Sequence, residues 1–152
     1  MATKRWLGTT DGDYGVAGNW DPSGVPIAGD DVIIASASEQ AITGTLDQSA
    51  VTINTLCVED GYSEDIGTDT AFLQITLGTG DVFEYSGTGA SAKIDLGASS
   101  ISPTIYNTGS PNAGEPALQL KGSAFVTVNI YNGNVSLAAY DFDDTTTEAD
   151  VI

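Results

Sequence analysis

The sequence has no histidine, one cysteine and one methionine in 152 residues. Without histidine there is no Ser/His/Asp or Cys/His nucleophilic arrangement, and most zinc sites lose a usual ligand. The lone Cys57 cannot close a disulfide within the chain. It lies in an alternating apolar run, which predicts a buried thiol. Positive charge is nearly missing: four Lys and Arg stand against 21 Asp and Glu, a formal charge of −17. Nucleic-acid binding needs cations against phosphate, and an anionic membrane repels an acidic chain, so neither partner is expected. The acidity suits solubility, self-repulsion against aggregation, cation binding or docking on a basic surface. There is no G-x-x-x-x-G-K-[ST] loop and no strand–GxGxxG–helix unit, and Gly78-Thr79-Gly80 reads as a turn. No apolar run reaches the length of a membrane-spanning helix. Met1 to Trp6 leads into Gly8 and Asp11 rather than an apolar stretch, so the expectation is cytoplasmic synthesis without a secretion signal.

Helical periodicity over a dozen residues is also missing. What remains is 18 Gly and an alternation of Thr, Val, Ile and Tyr, which reads as strands and tight turns. The fold class is all-β, in about one domain.

Between Leu73 and Leu137 one pattern recurs. Ile75-Thr76-Leu77-Gly78 precedes Tyr85, Ile94-Asp95-Leu96-Gly97 precedes Ile105-Tyr106-Asn107, and Leu118-Gln119-Leu120-Lys121-Gly122 precedes Ile130-Tyr131-Asn132. Leu77, Leu96 and Leu120 lie 19 and 24 residues apart, and Tyr85, Tyr106 and Tyr131 lie 21 and 25 apart. A period of roughly 20 to 25 residues in a β-rich chain predicts stacked rungs, each burying its apolar residues against its neighbours. The fold expected is a short β-solenoid. A β-sandwich or barrel is the alternative, since its hairpins also recur at regular spacing. Tyr85, Tyr106 and Tyr131 are expected to stack as a ladder along one face.

Three segments follow. Residues 1–29 form a loop-rich N-terminal arm and cap, residues 30–140 the solenoid, and residues 141–152 an acidic tail. The cap places Trp6, Tyr14 and Trp20 among turn signals, and its two Trp rings would cover the open end of the core. In Ala50 to Glu59, Val51, Ile53, Thr55 and Cys57 fall on one strand face and Leu56 and Val58 on the other. That slip predicts a bulge or bend near Thr55.

Few residues carry chemistry. Paired carboxylates are expected by chance among so many acids, so they do not by themselves indicate a glycosidase. Lys93 and Lys121 are the only candidate lyase bases in the repeats, and both read as outward strand residues. Asp11/Asp13, Asp30/Asp31 and Asp141/Asp143/Asp144 offer oxygen ligands, yet none sits in a twelve-residue calcium loop. Asp30 reads as a turn residue whose carboxylate caps backbone N–H groups. No catalytic residue, metal ligand or cofactor is assigned.

Trp6-Leu7-Gly8, Gly18-Asn19-Trp20, Gly24-Val25-Pro26 and Gly29-Asp30-Asp31-Val32-Ile33-Ile34 resemble a β-helix start motif. It is shared by phage head decoration and head-fibre proteins and by bacterial surface β-helix proteins. The motif runs W-x-G, N-W, G-x-P-x-x-G-D-D-V-x-I. The resemblance implies that Asn19, Trp20 and Pro26 form the cap and that Gly29, Asp30 and Asp31 turn into the first rung. For a short chain it implies a non-enzymatic virion protein on the capsid exterior, a homotrimer bound to the major capsid protein. Lys4, Arg5 and Trp6 are the candidate capsid contacts, because Trp and Arg are common interface anchors. The alternative is a carbohydrate-binding or carbohydrate-cleaving surface module, tailspike- or adhesin-like, using Tyr62, Tyr85, Tyr106, Tyr131 and Tyr140.

Overall fold

The computed structural model describes residues 1–89, 91–110 and 116–138; the acidic tail expected at 141–152 lies outside them. The described chain is a β-solenoid of about five turns. Its strands are β1 (Thr3–Trp6), β2 (Trp20–Asp21), β3 (Asp31–Ile34), β4 (Asp47–Val58), β5 (Leu73–Tyr85), β6 (Ala92–Asp95), β7 (Thr104–Ile105), β8 (Leu118–Lys121), β9 (Asn129–Ile130) and β10 (Val135–Ala138). A sandwich of hairpins would pair neighbouring strands antiparallel. Here every pairing among the described strands is parallel except β1 with β2.

Three inward columns make the core. The first stacks Trp6, Ile34, Val58, Tyr85, Ile105 and Ile130. The second stacks Ile42, Ile66, Ala92, Leu118 and Val135. The third stacks Leu73, Ile94, Leu120 and Leu137. Only Ile130, Val135 and Leu137 of these are partly exposed, and they lie at the C-terminal end. The second and third columns run two residues apart along β6, β8 and β10, so one strand face supplies two apolar side chains per rung, and burying a large one fully is worth about 1.5–3 kcal/mol. Because the turns between columns differ in length, the sequence period varies while the spatial repeat does not.

The register corrects one alignment read from the sequence. Leu77, Leu96 and Leu120 do not share a column; Leu120 pairs with Ile94, and Ile94 with Leu73. The slip is two residues, so the same strand face still points inward. Gly78-Thr79-Gly80 is no separate turn but part of β5, whose two halves pair with different strands, β6 and β7. The slip expected near Thr55 is present: the β4–β5 register shifts between Ile53 and Thr55. Ile53 and Leu56 are therefore both buried.

The loop-rich arm expected at residues 1–29 begins with a strand. Thr3–Trp6 is a strand paired in parallel with Asp31–Ile34, so β1 belongs to the solenoid. Trp6 is 0% exposed and packs against Trp20 and Tyr14 at ring-centroid distances of 5.3 and 6.3 Å. Tyr14 and Trp20 meet edge-to-face at 4.6 Å. β2 closes the outer edge of β1 by pairing antiparallel to it, which removes an open template for aggregation.

Candidate interaction face

The cap residues are held by a closed set of hydrogen bonds. Asn19 is fully buried. Its Oδ1 accepts from the Thr10 and Asp11 N–H groups at 2.8 and 3.1 Å, and its Nδ2 donates to Asp11 Oδ1 and the Asp13 carbonyl at 2.8 and 2.9 Å. The bond from the Asp13 N–H and then that from Asn19 hold the Asp11 carboxyl below its usual range. Trp20 Nε1 donates to the Tyr14 carbonyl at 2.9 Å. Pro26 is buried beside the turn, and Gly29 takes φ +82°, a left-handed conformation that glycine adopts freely.

Asp30 is 1% exposed. Its oxygens accept from the Ala2 N–H at 2.8 Å and the Ile27 N–H at 3.1 Å. Burial pushes its carboxyl up, but the two N–H bonds, the N-terminal ammonium and Lys4 together outweigh that and hold it below the usual range. Asp30 thereby ties the first strand to the first full rung. Asp31 is half-buried on β3 opposite Thr3.

The proposed contacts Lys4, Arg5 and Trp6 do not form an exposed anchor. Trp6 is core. Arg5 donates to both oxygens of Glu59 at 2.8 and 3.0 Å, and the Ser36 N–H donates to the same carboxylate at 2.9 Å. Lys4 Nζ donates to the Pro22 and Ser23 carbonyls at 2.9 and 3.2 Å. In a strand successive side chains alternate faces, so Arg5 points out where Trp6 points in.

The tyrosine ladder also needs correction. Tyr85 pairs with Ile105, and Ile105 with Ile130. Tyr85 is therefore an inward residue, 1% exposed, and its hydroxyl is pushed up by burial. Tyr106 and Tyr131 sit one residue further along and point outward, 47% and 72% exposed. Their rings stack at 5.5 Å with 10° between planes. Aligning the three tyrosines by spacing was off by one for Tyr85, and a one-residue slip inverts the face. Tyr62 is a core residue as well, with its hydroxyl donating to the Asp65 carbonyl at 3.1 Å. Tyr140 and the Asp141/Asp143/Asp144 group lie outside the described residues.

The outward Tyr106–Tyr131 pair is one end of a larger face. Tyr106 Oη donates to Glu84 Oε1 at 3.4 Å. The Glu84 charge, then burial, pushes the Tyr106 hydroxyl above its usual range. Beside Glu84 lies a shallow groove of about 440 Å³ lined by Val82, Ser102, Thr104 and Val126. Val82 and Val126 are 45% and 71% exposed. Four of the six large apolar side chains exposed among the described residues thus belong to this face, with Met1 and Ile27 elsewhere. Its charged groups are Glu84 and, at the groove's edge, Asp81, whose carboxylate accepts from the Gly78 N–H at 2.8 Å. Asn107 and Asn132 continue the stack beside the tyrosines through a 2.9 Å side-chain bond. The sequence reading missed the valines. Exposure of Val126 in a short apolar stretch carries no periodic signal, and only the register shows it.

Other candidates resolve into structural roles. Cys57 is half-buried on the outward side of β4, not in the core. Burial first, then the Glu84 and Glu59 charges, raises its thiol, so it is a poor nucleophile. Lys93 is 6% exposed and donates to the Asp69 carbonyl at 3.2 Å; it is not the outward residue expected. Lys121 holds its ammonium 3.8 Å from the Phe72 ring centroid. No three His, Cys, Asp or Glu side chains converge as a metal site among the described residues. No helix is long and apolar enough to cross a membrane among them. The chain matches no protein-family model, no curated protein and no solved structure.

Proposed function

We propose that this chain is a non-enzymatic virion protein that decorates and cements a phage capsid as a homotrimer bound to the major capsid protein. The observation that carries the reading is a division of the outer surface of the solenoid. One corner holds Glu59, Asp60, Glu64 and Asp65 within seven residues, with Asp60 and Asp65 exposed to solvent. Among the described residues, the face ending at Tyr106 and Tyr131 is apolar and acid-poor. Acidic surface steers toward a basic lattice, and apolar surface suits lasting contact. The β-helix start motif agrees with this assignment, and its residues are the ones that seal the first rung.

The test is pelleting with shells assembled from the major capsid protein of the same genome. Saturable binding that raises shell resistance to heat is expected. Replacing Asp60, Glu64 and Asp65 by Asn and Gln weakens it, and added salt weakens it too. No binding at low salt overturns the reading. Deleting residues 1–6 is no test of contact, because it removes β1 and Trp6 from the core.

The stacked Tyr106–Tyr131 pair with Asn107 and Asn132 beside it supports a second reading, a carbohydrate-binding module. Aromatic faces with adjacent amides suit sugar rings. Retention on neutral or acidic polysaccharide, lost in Tyr131→Ala, is its test.

A further inference from the structure

We infer that the face formed by Val82, Thr104, Tyr106, Val126 and Tyr131 is where copies of this chain meet one another. The inference rests on the oligomeric reading above and names the surface it uses. A chain of formal charge −17 repels its own copies, so association is favoured where carboxylates are fewest. Among the described residues Glu84 is the one acid at the centre of this face, and Tyr106 Oη already hydrogen-bonds it. The acid-rich corner at Glu59–Asp65 offers no such surface: Asp60, Glu64 and Asp65 would oppose like charges on a second copy. A basic partner would be drawn more strongly to that corner than to this face, where Glu84 and Asp81 are the acids among the described residues. Charge therefore sorts the occupants, with a second copy on the apolar face. That face also carries most of the large apolar side chains exposed among the described residues, the usual mark of an interface. Tyr131, 72% exposed, is the residue with most area to bury, and tyrosine is a frequent anchor.

The experiment is molar mass by light scattering across concentration, on the free chain with no capsid present. The wild type is expected to form a discrete oligomer whose association strengthens as salt screens self-repulsion. Val126→Glu with Tyr131→Glu is expected to weaken association by about a hundredfold or more, since like charges meet at the seam. Ser63→Glu with Thr43→Glu, at exposed sites away from the face, is expected to leave it unchanged. If the double glutamate variant loses its far-ultraviolet β spectrum, Tyr106→Ser with Tyr131→Ser removes the stack without adding charge and should still weaken association. A wild type that stays monomeric at all soluble concentrations overturns the inference. So does an oligomer untouched by all face variants, or a monomer held by polysaccharide through Tyr131. Shell pelleting of the same variants reads separately, so loss of self-association and loss of capsid binding are distinguishable.

Discussion

The two ends of the solenoid use aromatic residues in opposite ways. At the N-terminal end, Trp6, Tyr14 and Trp20 are all buried and interlocked, and Asn19 and Asp30 satisfy the backbone around them. At the C-terminal end, Tyr106 and Tyr131 stand outside, stacked on each other, while the inward positions beside them are held by Ile105 and Ile130. The chemistry is similar and the outcome is set by register. An aromatic at an inward position fills a rung. The same residue one step later becomes surface. The first arrangement stabilises the fold, and the second leaves apolar area at the surface.

That contrast can be broken from its strongest side first. Trp6→Ala leaves a cavity under the cap and should cost about 3–5 kcal/mol, read from the urea midpoint. An unchanged midpoint would mean that the cap does not hold the first rung. Asn19→Leu comes next. It strands the Thr10 and Asp11 N–H groups and the Asp13 carbonyl, for a loss of about 1–3 kcal/mol. Asn19→Asp should not recover it: a carboxylate still accepts the two N–H bonds, but its second oxygen meets the Asp11 carboxylate and the Asp13 carbonyl, both of which lose the Asn19 donor.

Acid should act on the same end through Asp30. Its pKa is lowered in the folded chain, so its contribution is present above the ordinary aspartate range, about pH 4. It is lost as pH falls through the folded value. Thermal scans should show the wild type and Asp30→Asn converging in strongly acidic buffer and separating near neutrality. A constant gap would show that the carboxylate's charge is not what ties down Ala2. The smallest effect belongs to Arg5→Ala. The Arg5–Glu59 pair is partly exposed, 38% and 28% for the two side chains, and is worth about 0.2–1 kcal/mol, less in high salt. A larger loss would point to a more deeply engaged arginine.

Much of the fold is legible in the sequence. The variable repeat, the glycine turns and the absence of helical periodicity point to stacked rungs, and the slip at Thr55 is visible as a change of strand face. The cap aromatics and the Asp30 turn follow from spacing and turn chemistry. What spacing does not supply is register. Leu96 and Leu120 tolerate a misalignment of two, because period-2 alternation restores the face. Tyr85 does not, because its column partners Ile105 and Ile130 are ordinary strand residues with no motif of their own. Arg5 and Lys4 read as candidate capsid contacts for a related reason: their partners Glu59 and the Pro22 and Ser23 carbonyls are remote in sequence. The interaction face was illegible beyond its tyrosines, since it gathers Val82, Thr104 and Val126 from three rungs.

The most direct measurement is the unfolding free energy of Tyr85→Ala beside that of Tyr131→Ala, at concentrations where light scattering finds both monomeric. An inward Tyr85 predicts a loss of about 3–5 kcal/mol, as for other buried aromatic truncations. An outward Tyr131 predicts a loss within about 1.5 kcal/mol, the range of one exposed ring stack. Equal losses would restore the three-tyrosine ladder and contradict the division between core and contact face.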